Sequence, residues 1–335
     1  MNYRLINIII PSTALSSELI NCLIKFNNQN YKNFFVTIVL DNRNNLKLPR
    51  LNYKLNILTV GKKNMSFKRN YAAKKFKSDL IAFIDSDAYA PKDWLLNGTK
   101  ALLNKTKAIV GGPSIPFPNQ KYSEMLSHYA KRSYFVTGYM NFRKYKSQDR
   151  YCDWLESCNL ILYRSLFLTH RGFNENLYIG EDKEFIQRIK KKDKSIMIFF
   201  TSKLFIYHKE RAIRKFLMQR MVFGTDLFNI INFNYKIKSF QPIIPLLITC
   251  LFLLIILLNI QGQTKIVLSL SFIALIQILI LFNIFSYMKS FKNIILTLII
   301  INLANISYVV GNIMAFLNIK NLINRKIYLK SRNNK

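Results

Sequence analysis

At 335 residues with half of them apolar, the chain is long enough to bury a full α/β core, which excludes a disordered or peptide-sized module. Its 50 Lys+Arg against 17 Asp+Glu give a net charge of +33. No acid follows Asp226, and the later residues combine Lys and Arg with long apolar runs, so two compositional regimes share one chain.

Near the N-terminus, Arg4 and the run Leu5–Ile10 fall short of the apolar core of a signal peptide and read as a buried first strand, with no export. Short apolar runs then alternate with helical stretches: a helix over Ser17–Phe26, strands at Phe34–Leu40 and Asn56–Val60, a helix over Phe67–Phe76 and a strand at Leu80–Ile84. That alternation predicts βαβ units and a mostly parallel, Rossmann-like sheet in an α/β domain spanning 1–210. The four cysteines show neither a CxxC spacing nor a disulfide density, which suits a reducing compartment.

Residues 211–238 mix Arg211, Arg214, Lys215 and Arg220 with Phe216, Met221 and Phe223. The pattern fits amphipathic interfacial helices on anionic headgroups, or a plain surface helix of the preceding domain. Three uncharged stretches follow, 239–264, 266–288 and 293–319, each long enough for the roughly 20 residues that cross a bilayer core. A basic tail closes the chain over 320–335. If all three stretches cross, the tail lies outside, against the positive-inside rule; if 293–319, the most polar, packs on protein instead, the tail stays inside.

In an open parallel sheet, ligands bind beyond the carboxyl ends of the strands. Three runs end in polar groups there: Pro11-Ser12-Thr13, Asp41-Asn42 and Asp85-Ser86-Asp87. Each alone can be a turn or a helix cap, but together they converge on one rim. Two carboxylates at a DxD spacing can hold Mn²⁺ or Mg²⁺, whose open positions take diphosphate oxygens. Gly180-Glu181-Asp182 starts a predicted helix; its acids either complement the helix dipole or supply a general base for an acceptor hydroxyl. Lys68-Arg69-Asn70 reads as a diphosphate or base contact, or equally as a solvated charged loop.

In order along the chain, Ile8-Ile9-Ile10-Pro11-Ser12, Cys22-Leu23 with Gln29-Asn30-Tyr31, Asp41, Lys68-Arg69-Asn70, Phe83-Ile84-Asp85-Ser86-Asp87, Trp94-Leu95, Gly172-Phe173-Asn174-Glu175, Gly180-Glu181-Asp182 and His208 resemble glycosyltransferase family 2 of the GT-A fold, over about residues 5–225. The resemblance implies that Ser12, Asp41 and Arg69 hold the nucleotide, and that Asp85 and Glu181 belong to the donor-sugar site. It also implies that Asp87 and His208 bind the metal and that Asp182 is the catalytic base, with Asp85 beside the chemistry. The loop Asp41-Asn42-Arg43-Asn44 departs from the family's DDGS, which leaves the nucleobase open, and Gln219–Phe223 lacks the QxxRW of processive synthases.

The expected activity is therefore a membrane-bound, inverting, metal-dependent transfer of one sugar from a nucleotide-diphosphate donor to a lipid-linked or membrane-proximal acceptor. The expected place is a multi-pass cell-membrane protein in contact with membrane lipids, its catalytic domain in the cytoplasm. The basic charge also fits a membrane-tethered nucleic-acid binder, but the aromatics do not interleave with basic residues as such modules require, so no nucleic-acid partner is expected. An inactive transferase-like scaffold would not need Asp85, Asp87 and Asp182.

Overall fold

The computed structural model describes residues 3–42, 47–103, 105–177, 179–225, 244–257 and 262–317. The expectations for Arg43-Asn44, for 211–238 beyond Thr225, and for the basic tail lie outside those residues. Two compact units form: Met1–Pro118 with Phe142–Lys209, and Asn119–Asn141 with Glu210–Lys335. The segment Asn119–Asn141 thus interrupts the contiguous domain expected over 1–210.

The first unit is an α/β domain. In chain order its strands are β1 Ile6–Pro11, β2 Phe34–Leu40, β3 Lys54–Thr59, β4 Leu80–Ile84, β5 Ala88–Tyr89, β6 Ala108–Gly111, β7 Ser114–Pro116, β8 Arg150–Tyr151, β9 Asn159–Tyr163, β10 Met197–Phe200 and β11 Ile206–His208. Eight form one mixed sheet in the order β3-β2-β1-β4-β9-β6-β10-β8, and β5-β11-β7 form a small second sheet. β1, β2 and β4 are buried along their whole length, as near-continuous apolar runs require when helices cover both faces of a parallel sheet. β9 runs antiparallel between β4 and β6, with Asn159 opposite Ile84.

The helix Ser17–Phe26 starts where the Ser16 side chain accepts from the Leu19 N–H. The next helix runs Met65–Lys75, two residues ahead of the sequence expectation, because the Asn64 side chain caps the Phe67 N–H at 2.8 Å. Its buried face is polar: Ser66, Lys68, Arg69 and Asn70 are all enclosed. The solvated-loop reading of Lys68-Arg69-Asn70 is therefore corrected.

In the second unit, the helix Ile213–Thr225 buries Phe216, Val222, Gly224 and Thr225 and packs along the helix Phe291–Phe316. Within 213–225, Phe216 and Val222 are covered by protein, while Phe223 is exposed. A Cβ on Gly224 would overlap the Tyr308 carbonyl, and one on Gly311 would overlap the Met221 carbonyl, so only glycine permits this backbone contact.

Gly262–Phe285 and Phe291–Phe316 are long and apolar enough to cross a membrane. The first has 6% of its most apolar window buried and the second 44%, so the second turns much more of its surface to protein. A helix over Ile244–Leu257 precedes them. Lys265, expected to separate two segments, lies inside the Gly262–Phe285 helix, where the flexible stem of a lysine lets its charge reach toward water.

Candidate active site

The chain lays β2 and β3 on one side of β1 and β4 on the other, so the strand order reverses between β1 and β4 and opens a crevice at their carboxyl ends. Ser12 follows β1, Asp85 follows β4, and Asp41 follows β2. With strands about 4.8 Å apart, Asp41 and Asp85 mark roughly 10 Å of rim.

The Met65–Lys75 helix organises this rim because consecutive helical side chains point about 100° apart and so reach different loops. Lys68, fully buried, donates to the Ser12 carbonyl and pairs with Asp41. Arg69 forks: one nitrogen lies 2.8 Å from Asp85 Oδ1 and the other 3.1 Å from Glu181 Oε1. Asn70 donates to the Phe173 carbonyl and to Glu175 Oε1, and accepts from the Phe173 N–H at 2.9 Å. Gly172 has a φ of +63°, and a Cβ there would overlap the Asn70 carboxamide oxygen.

His208 reaches the rim through β11, which pairs with β5 so that His208 stands opposite Ala88. The Lys209 N–H also donates to the Asp87 carbonyl at 2.9 Å. His208 Nδ1 lies 2.9 Å from the Lys209 carbonyl, which assigns the proton to Nδ1 and leaves the Nε2 lone pair 3.6 Å from both Asp85 Oδ2 and Asp87 Oδ1. That spacing is too long for good hydrogen bonds. It falls between the roughly 3.0 Å and 4.2 Å that separate neighbouring and opposite ligands around an octahedral cation with ~2.1 Å bonds. Asp85 and Asp87 thus both stand beside the His208 imidazole.

Because β9 runs away from the rim, the residues just before it, Ser157 and Cys158, are delivered into the site. Cys158, Asp85 and His208 each offer a ligand atom within 4.8 Å of the others. Burial, with Glu156 and Asp85 nearby, pushes the Cys158 thiol well above its ordinary pKa, and a neutral thiol suits a hard cation poorly. The Ser157 N–H donates to Asp182 Oδ2 at 3.0 Å.

The helix Glu181–Lys192 begins at Gly180, whose φ of +74° is left-handed, and has Glu181, Asp182 and Glu184 in its first turn. These acids complement the helix dipole, yet burial raises both leading carboxyls. Glu181 is pushed up to about 7 by burial and by Asp182, against the pull of Arg69. Asp182 is raised chiefly by burial, and the Ser157 and Lys183 N–H groups counter it only in part.

Of the residues singled out from sequence, Asp85, Asp87, His208, Arg69 and Glu181 lie in one connected cluster, with Asp182 tied in through Ser157. Ser12 and Asp41 form a second group around Lys68, farther along the rim. The buried strut Lys68 and the pair Ser157-Cys158 were not assigned these roles from sequence. The only available signal for the pair was the apolar run Leu160–Leu162, which does not reveal its own direction.

Residues 7–165 match the glycosyl transferase family 2 domain. No curated protein matches the sequence. Among solved structures, the mannosyltransferase PcManGT from Pyrobaculum calidifontis, in complex with GDP-Man and Mn2+, is similar with a TM-score of 0.58 at 13% identity, over 93% of this chain and 88% of that one. GalNAc-T7 with UDP, GalNAc and Mn2+ overlaps with a TM-score of 0.47 at 12% identity, over 63% of this chain and only 44% of that one. S. aureus TarS 1-349 overlaps with a TM-score of 0.44 at 14% identity, over 94% and 92%. Residues 7–165 thus match glycosyl transferase family 2, and the sheet they help to build has a GT-A fold.

Proposed function

We propose that the protein transfers a single sugar, with inversion, from a nucleotide-diphosphate sugar to a lipid-linked or membrane-proximal acceptor. The observation that carries this reading is the Arg69 fork, which joins the DxD carboxylate Asp85 to Glu181, next to Asp182, on one rim. PcManGT, in complex with GDP-Man and Mn2+, supports a nucleotide-sugar donor and a divalent ion here.

In this reading Asp87, His208 and Asp85 hold Mn²⁺ or Mg²⁺, which when bound neutralises charge on the departing nucleoside diphosphate. Ser12, Asp41 and Arg69 position the nucleotide along the rim, and Glu181 holds Arg69 in place. Asp182, its carboxyl raised toward the working pH by burial, takes the proton of the acceptor hydroxyl as it attacks the anomeric carbon. One base and one leaving-group site suffice for a single displacement. The apolar helices Gly262–Phe285 and Phe291–Phe316 support a membrane location, with the catalytic unit on the cytoplasmic side where the donor is made.

The test is the anomeric configuration of the product, read by NMR from a donor of defined anomer. Inverted product supports the single displacement, and retained configuration rejects it.

A further inference from the structure

The second unit contains a cation for which its described residues supply no counter-charge. Arg220, on the Ile213–Thr225 helix, stacks 4.8 Å from the Tyr308 ring centroid. Its Nε is closed off from water and has no hydrogen-bond partner among the described residues. Burial pushes its pKa down to about 10, opposite to what a neighbouring acid would do.

The surroundings are polar and equally unsatisfied. Asn305 and Asn312 stand three residues before and four residues after Tyr308, which places all three on one side of the Phe291–Phe316 helix. Asn312 is 2% exposed, and neither of its amide atoms has a hydrogen-bond partner among the described residues; Asn305 Oδ1 is in the same condition. Gly224, one turn on from Arg220, meets Tyr308 and Gly311 in backbone contact, so this side of the helix faces Arg220.

Few acids in this unit are free to balance the charge. Glu210 is taken by His128 at 3.0 Å and by Lys131, and Glu124 caps its own helix at the Lys121 N–H. The third, Asp226, lies outside the described residues. A guanidinium whose Nε is closed off from water without a hydrogen-bond partner is costly, and its planar donors match phosphate oxygens.

We propose that Arg220, with the Asn305 and Asn312 amides of the same seam, binds a phosphate-class anion, carried by a lipid headgroup or free in solution. This site belongs to the second unit and does not depend on sugar transfer.

The experiment follows the unfolding temperature of the full chain in neutral detergent. Inorganic phosphate, phosphatidylglycerol and phosphatidylcholine are each added at matched ionic strength, to the wild type and to Arg220→Gln. A ligand that binds only the folded state raises that temperature. The wild type should rise with phosphatidylglycerol or phosphate above the phosphatidylcholine control, while Arg220→Gln should not rise and should unfold no lower than the wild type without anion. A rise with phosphatidylglycerol alone identifies the headgroup as the source, and a rise with both identifies the phosphate itself. The proposal is overturned by no rise in the wild type, by an equal rise in the variant, or by an anion-free variant that unfolds well below the wild type or fails to fold, which marks an internal counter-ion such as Asp226. Native mass spectrometry of the wild type adds a check that needs no variant: release of phosphatidylglycerol as readily as phosphatidylcholine contradicts a headgroup site.

Discussion

Asp87 and Asp182 stand in different surroundings, one facing the His208 lone pair and the other held by backbone N–H groups, and they are assigned different steps. Asp182→Asn should leave donor binding nearly intact and lower transfer by roughly 10²–10⁴, measured as single-turnover rates. Glu181 gives a pH test. Its folded pKa of about 7 lies above the ordinary 4.5, so its protonated form favours the fold; that contribution is complete below about 4.5 and is lost as pH rises through 7. Glu181→Gln removes the titration, so relative to the wild type the variant should gain about 1–3 kcal/mol between pH 5 and pH 8, read from unfolding curves. A difference that does not change with pH contradicts the burial of that carboxyl. The sequence marked both acids through the Gly180-Glu181-Asp182 cluster but not their protonation, which follows from enclosure by Ser157 and Arg69. Nor did it mark Lys68 as a buried strut, because a Lys-Arg-Asn run is indistinguishable from a solvent-facing one until its partners Asp41, Asp85 and Phe173 are in place.

At the scale of elements, the Met65–Lys75 helix holds the site by its polar face, and its loss should be felt as instability before it is felt as chemistry. Asn70→Ala removes bonds to Phe173 and Glu175 and leaves buried backbone groups unpaired, so unfolding in urea should show a loss of about 2–4 kcal/mol with an unchanged slope. A loss below ~1 kcal/mol shows that the segment after Gly172 does not depend on this anchor. The strands around the site were legible: β2 and β4 stand where their apolar runs predicted, and β1 within a residue, because strands buried on both faces announce themselves as continuous apolar stretches. The direction of β9 was not, since an apolar run carries no sign of whether its neighbour runs parallel. Yet that direction brings Ser157 and Cys158 beside Asp85 and Asp182.

For the whole molecule, the second unit depends on backbone contact between the Ile213–Thr225 and Phe291–Phe316 helices. Gly311→Leu should lower the unfolding temperature in detergent, because a side chain there collides with the Met221 carbonyl and forces the two helices apart. An unfolding temperature equal to that of the wild type contradicts the close approach. The apolar C-terminal stretches were visible from composition alone, but the helix boundaries were not: Lys265 proved to be inside a helix. Centrally, the rim joined by Arg69 is held to bind a nucleotide sugar through a divalent ion. The most direct test is calorimetric titration of detergent-purified protein with nucleotide-diphosphate sugars, with and without Mn²⁺, for the wild type, Asp87→Ala and Asp182→Asn. Mn²⁺-dependent binding of one donor is expected for the wild type and for Asp182→Asn, with its loss in Asp87→Ala. Donor binding that is indifferent to Mn²⁺ and to Asp87, or that is lost equally in both variants, contradicts this assignment.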